Sequence, residues 1–295
     1  MARILNIGSL NIDYVYTVPH FVQAGETLSA ESRQLFPGGK GLNQSIAMAR
    51  AGCEIDHAGM IGADGEHLRE ILQSAGVDTR LVAEADAPTG HAVIQVLKSG
   101  ENSILLFAGA NQSLSESFVR DALAGYTKDD ILVLQNETAG ISCAMKAAKE
   151  KGMKIAFNPS PFVPEINSYP LELIDWWILN EIEGRALSGK ESPADILKTM
   201  GAMYPNAVIV LTLGSKGVMC YSKGEILNHE SYKTKVVDTT AAGDTFSGYF
   251  IASIARGESI PQALKIASKA ASISVSRLGA AVSIPHWEEL FVNSI

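Results

Sequence analysis

Cysteine is scarce in this chain: Cys53, Cys143 and Cys220 are the three among 295 residues, and none forms a C-x-x-C pair. That spacing argues against a disulfide framework and a thiolate zinc site, and predicts a reducing, cytoplasmic compartment. Basic runs are also missing. Lys and Arg number 24 against 32 Asp and Glu, a formal net charge of -8. Nucleic acid and anionic membrane are therefore not expected partners. Any phosphate must be held locally, by backbone amides or single lysines. No apolar run approaches about 18 residues, so no membrane span is expected. The opening stretch MARILNIGSLNIDYVYTV carries one positive charge and then β-type alternation, which does not read as a signal peptide. Two nucleotide signatures are absent as well. There is no G-x-x-x-x-G-K-[ST], and no G-x-G-x-x-G follows a strand, which argues against a Walker A loop and a dinucleotide-dependent oxidoreductase.

What the sequence does contain is a rhythm. Short Ile- and Val-rich runs recur (RILNIG, HAVIQVL, SILLFAG, DILVLQ, KIAFN, WWILN, AVIVLTLG). Between many of them lie helical patterns at 42–50, 67–75, 115–124, 141–151 and 194–203. Strands alternating with helices predict an α/β fold with a mostly parallel central sheet and helices on both faces. Two stretches break the rhythm. Residues 12–36 alternate without a helix, and 90–107 read as a hairpin around Ser99-Gly100-Glu101-Asn102. Their pairing predicts a small β-sheet lid inserted in one domain spanning 1–295.

Several motifs carry chemistry, each with a plainer alternative. FPGGKGLNQ packs Gly38, Gly39 and Gly41 before a helical run. It is either a tight strand-to-helix turn or a place where a ligand touches the main chain, with Asn43 one turn on able to reach the same ligand. VVDTTAAGDTFSGYFIASIARG places Ala241-Ala242-Gly243 at a helix start, with Phe246, Phe250, Ile251 and Ile254 marking its buried face. Small residues leave first-turn amides uncovered, which suits an anion. Asp244 beside them is a dipole partner in the plain reading and a general base for phosphoryl transfer in the sharper one. Asn180-Glu181-Ile182-Glu183 is a helix cap, or Glu183 holds Mg²⁺ through waters. The turn in VLTLGSKGV is simply a turn, or sets Thr212, Gly214, Ser215 and Gly217 against nucleotide phosphates. Asn11 and Asp13 share one face as edge residues or as polyol binders. Glu137 follows a strand's C-terminal end, where open α/β sheets bind ligands.

Taken together these motifs resemble the ribokinase-like family of carbohydrate and nucleoside kinases over essentially the whole length. Gly38-Gly39-x-Gly41-x-Asn43, with Gly52 and Gly62 beyond it, fits the first family signature, and Asp238-Thr239-x-Ala241-Ala242-Gly243-Asp244 the second. Tyr249 stands where a small residue is usual and is expected to affect packing rather than chemistry. The resemblance implies an ATP-dependent, Mg²⁺-requiring, K⁺-stimulated enzyme that phosphorylates the 5-hydroxyl of D-ribose to ribose 5-phosphate. The alternatives are 2-deoxyribose, fructose or a nucleoside as acceptor, or a non-catalytic sugar sensor. It implies a sugar site of Asn11, Asp13, Gly39, Lys40, Asn43 and Glu137, with Asp244 as base and Gly243, Ala242 and Ala241 as anion hole. Asn180 and Glu183 would organise Mg²⁺. A K⁺ site would use Asp238 and Ser283 side chains and the carbonyls of Thr240, Ser274, Arg277 and Gly279. Pairing of lids between two copies implies a homodimer.

Overall fold

The computed structural model describes residues 2–292. Strand β1 (Ile4–Ile7) leads into β2 (Asn11–Thr17) and β3 (Ser32–Gly38), then helix α1 (Lys40–Arg50). There follow β4 (Ile55–Ile61), α2 (Glu66–Ser74), β5 (Asp78–Glu84), β6 (Gly90–Val96), β7 (Asn102–Phe107) and α3 (Glu116–Ala122). The second half alternates β8 (Ile131–Gln135), α4 (Ile141–Glu150), β9 (Lys154–Asn158), β10 (Trp176–Asn180), α5 (Glu181–Ser188), α6 (Pro193–Met203) and β11 (Val208–Thr212). It ends with β12 (Val218–Ser222), β13 (Glu225–His229), α7 (Ala242–Ala255) and α8 (Ile260–Ser274).

Among the described residues nine strands form the central sheet in the order β13-β12-β11-β10-β9-β8-β1-β4-β5. The pairs from β11 to β5 are parallel, and β12 and β13 add an antiparallel edge. Alternate residues of a strand face opposite sides, so the sheet feeds two cores. Ile4, Val133, Ile178 and Val210 pack beneath α1, α2, α7 and α8. Leu5, Leu134, Trp177 and Leu211 pack beneath α3, α4 and α6. The near-continuous apolar strands follow from burial on both faces.

A second sheet has the order β3-β2-β6-β7. Its outer pairs are antiparallel and its middle pair, β2 with β6, is parallel. The hairpin expected at 90–107 is β6 and β7, turning at Gly100 with φ 91°. The extended run expected across 12–36 is strand only at its two ends. Residues 18–31 between them are mostly exposed, and Pro19 and Gly25 (φ 81°) interrupt any ladder there.

The parallel order runs from β1 out to β5, then returns on the other side of β1 to β8. The point of reversal lies between β1 and β8, and ligands of open α/β sheets gather at the carboxyl ends of such strands. Ser9 and Glu137 follow those two ends, and the Ser9 hydroxyl donates to the Glu137 carboxylate.

Candidate active site

The glycines before α1 have a use that needs no ligand. A side chain on Gly38 would collide with the Asp13 carboxylate, and one on Gly41 with the backbone of Gly8 and Ser9. Gly39 adopts φ 94°, and a Cβ there would lie 2.9 Å from the Ser9 carbonyl. The crowding that demands glycine comes from the chain's own β1–β2 turn. It brings the start of α1 onto the switch point, where the Lys40 amide donates to Glu137 Oε2 at 2.9 Å.

On the β2 side, Asn11 Oδ1 accepts from Asn111 Nδ2 at 2.8 Å, and Asn111 is itself fixed to the backbone of Leu10. Asp13 lies half-buried near Glu137; desolvation first, then that neighbouring carboxylate, raise its pKa to about 6. Burial likewise raises Glu137. Lys40 is pulled both ways. Burial alone would lower its pKa, but Asp244, Glu137 and Glu183 together outweigh burial and raise it, so the ammonium stays charged.

Asp244 comes from 200 residues further along the chain. Its Oδ2 accepts from Asn43 Nδ2 at 3.1 Å and its Oδ1 from Gln44 Nε2 at 3.0 Å. Asn43 Oδ1 is buried and has no hydrogen-bond partner among the described residues. A buried acceptor without a donor costs on the order of 1–3 kcal/mol, and a ligand hydroxyl would satisfy it.

Helix α7 begins without a side-chain cap at Ala241, a non-glycine residue held at φ 58°. The amide of Ala242 donates to the Thr239 carbonyl at 3.2 Å. No acceptor among the described residues meets the amides of Gly243 and Asp244. Of the expected anion hole of Ala241, Ala242 and Gly243, the turn thus spends the Ala242 donor, while the amides of Ala241 and Gly243 meet no acceptor among the described residues. A cavity of about 260 Å³ opens there, lined by Lys40, Asn180, Glu183, Thr212, Gly243 and Asp244. A wider groove of about 520 Å³ shares Thr212 and Gly243 with it. Gly214, Ser215 and Gly217 line that groove, as do Phe246, expected on a buried helix face, and Val236, Ala271 and Val275, which no local sequence pattern announced.

Asn180 and Glu183 form a complete capping box: Asn180 Oδ1 accepts from the amides of Ile182 and Glu183, and Glu183 Oε2 from the Asn180 amide at 2.7 Å. Capping is thus realised, yet Glu183 also faces the cavity. Its carboxylate oxygens keep free lone pairs, which fits a magnesium ion held through waters.

The residues assigned to K⁺ fall into two neighbouring groups. Asp238 Oδ1 accepts from the Thr240 amide and hydroxyl and Oδ2 from the Gly279 amide at 2.9 Å. Burial works against these bonds, but they prevail and lower its pKa. Ser274 and Ser283 share a hydroxyl bond of 2.8 Å, and Thr245 of α7 donates to Ser274. Carboxylate, hydroxyl and carbonyl oxygens are a donor set of the kind an alkali cation takes. The Arg277 side chain turns away to Glu289. Tyr249 is fully buried, and its hydroxyl donates to the Pro285 carbonyl at 2.6 Å, pinning the same segment.

The sequence profile described as "pfkB family carbohydrate kinase" matches residues 1–287. The ribokinase of Haemophilus influenzae is 37% identical over 292 residues, covering 96% of this chain and 95% of that one. Among solved structures, ribokinase from Cryptococcus neoformans in complex with ADP superimposes with a TM-score of 0.87 at 36% identity, covering 98% of this chain and 99% of that one. Ribokinase from Arabidopsis thaliana complexed with ribose and ATP gives a TM-score of 0.85 at 30% identity, with 98% of both chains covered.

Proposed function

We propose, from the premise that this chain belongs to the pfkB family of carbohydrate kinases, that it transfers the γ-phosphoryl group of ATP to the 5-hydroxyl of D-ribose. The observation that carries the reading is the setting of Asp244. Its carboxylate is oriented by two side-chain amides on one side and stands at the uncapped start of α7 on the other.

In this reading Asp244 takes the proton of the 5-hydroxyl as that oxygen attacks phosphorus. The new O–P bond forms as the bond from phosphorus to the β-phosphate oxygen breaks, and ADP leaves. The amides of Gly243 and Asp244, with the Lys40 ammonium, face the charge that develops on the transferred group. Asn11, Asp13, Asn43 and Glu137 take sugar hydroxyls, the free Asn43 Oδ1 accepting one of them. Thr212, Gly214, Ser215 and Gly217 serve the nucleotide phosphates, and the wall of Val236, Phe246, Ala271 and Val275 suits a base. Asn180 and Glu183 would hold Mg²⁺, which neutralises phosphate charge when bound. Asp238, Thr240, Ser274, Arg277, Gly279 and Ser283 would hold K⁺, ordering the α7 approach.

The β3-β2-β6-β7 sheet would act as a lid excluding water from the acceptor, within one domain. Leu35, Ile104, Leu105, Leu106 and Phe107 stand exposed on it, which supports pairing with a second copy. The three cysteines are free thiols, in keeping with the cytoplasm; among the described residues no helix is long and apolar enough to cross a membrane.

The test is ADP release with ATP and Mg²⁺ against D-ribose, 2-deoxyribose, fructose and a purine nucleoside, in K⁺ and in Na⁺. Ribose leading by about tenfold or more in kcat/KM, with faster turnover in K⁺, is expected, because polar groups built for a hydroxyl penalise its loss. A lead by another acceptor would overturn the ribose assignment.

A further inference from the structure

Gln44 is 1% exposed on the inner face of α1, and its neighbours leave it one orientation. Its Oε1 accepts from Gln135 Nε2 at 2.8 Å, so its own amide nitrogen must face Asp244. Gln135, at the end of β8, is fully buried, and the same nitrogen donates to Asn6 Oδ1 of β1 at 3.0 Å. Asn6 in turn donates to the Gly41 carbonyl and to Ser45 Oγ, both at 2.8 Å. The line Asn6–Gln135–Gln44–Asp244 therefore ties the carboxylate to two adjacent strands of the central sheet. An amide cannot reverse without breaking both its bonds, and turning Gln44 would set an acceptor against the carboxylate. Close approach of the two helices makes the contact reachable. At Gly248, one turn beyond Asp244, a Cβ would collide with Ala47 and stand 3.0 Å from the Gln44 carbonyl.

Asn43 and Gln44 both donate to Asp244, yet they differ. Asn43 keeps an unpartnered oxygen in the site, whereas both ends of Gln44 are spent within the protein. From that difference we infer that Gln44 is a positioning residue for the base: it holds the Asp244 carboxylate in the orientation for proton abstraction and makes no contact with sugar. This rests on Asp244 being the base of a sugar kinase.

The experiment compares wild type with Gln44→Met and Gln44→Glu, measuring kcat, the KM for ribose and thermal unfolding. Gln44→Met removes both amide bonds at similar volume. Its kcat should fall roughly tenfold to a hundredfold, the worth of one hydrogen bond to a charged group, with the ribose KM within about twofold. Gln44→Glu keeps the size and the acceptor for Gln135 but sets a second carboxylate against Asp244, and should lose more kcat at the same KM. A loss confined to KM, or kcat within about twofold of wild type in a folded variant, overturns the inference. Should Gln44→Met fail to fold, the isosteric Gln44→Glu decides by the same criteria. Wild type without ribose turnover would instead overturn the ribose reading of the proposed function.

Discussion

Two helix starts face one cavity and are finished in opposite ways. At α5 every device for closing a helix end is present: Asn180 caps two amides and Glu183 returns the bond to the Asn180 amide. At α7 none is. Ala241 offers no side-chain acceptor and sits in a left-handed conformation that costs an alanine roughly 1–2 kcal/mol. Elsewhere Ser115, Ser192 and Ser259 cap α3, α6 and α8, while α1, α2 and α4 start at glycines, Gly39, Gly65 and Gly140, without a side-chain cap. What sets α7 apart is an alanine, not a glycine, held in the left-handed conformation at its bare start, a local cost in stability beside the cavity. The difference teaches that capped and uncapped ends divide the labour: one presents a carboxylate, the other presents amides.

Of the two ends, closing the open one gives the larger expected effect. Ala241→Asp sets a carboxylate at the positive end of α7, a residue type that tolerates the left-handed conformation better than alanine. Stability should rise by about 0.5–1 kcal/mol, from the helix dipole, while kcat/KM for ATP falls roughly a hundredfold through loss of the phosphate site. Thermal unfolding and nucleotide-saturation kinetics check both parts, and a variant that is both more stable and fully active would erase the contrast. Opening the closed end is the smaller change. Asn180→Ala should cost about 1 kcal/mol of stability and raise the Mg²⁺ concentration for half-maximal rate a few-fold, read from a metal titration of turnover. No shift in that titration would leave Asn180 as a cap alone.

Much of this arrangement is legible in the residues. The apolar strand runs and the helices between them correspond to β1, β6 to β11, α1 to α4 and α6; for β1 and β8 to β11 burial on both sides of a parallel sheet writes a strong local pattern, whereas β6 and β7 belong to the small sheet and β7 is exposed throughout. Strand β4 is less legible, since Asp56, His57 and Gly59 interrupt it, and α8 is marked at its start by Ser259 and Pro261. The glycines of the α1 turn are readable as a tight turn or as a ligand's approach to the main chain, but not as room made for Asp13, Gly8 and Ser9 of the same chain. Gln44 carries no legible signal for a physical reason: a glutamine beside an asparagine at a helix start reads as surface. Its partners Gln135 and Asp244 lie 91 and 200 positions away. The groove wall of Val236, Phe246, Ala271 and Val275 is assembled from separate segments; the helical pattern marks Phe246 as buried but does not join it to the other three.

The central claim is that Asp244 is the base at which the sugar side and the phosphate side meet. The most direct measurement pairs turnover of Asp244→Asn with its affinity for D-ribose by calorimetry. The account predicts turnover lower by about 10³-fold or more with ribose affinity within a few-fold, because Asn retains the size and Asn43 and Glu137 remain in place. Near-normal turnover in that variant would contradict it.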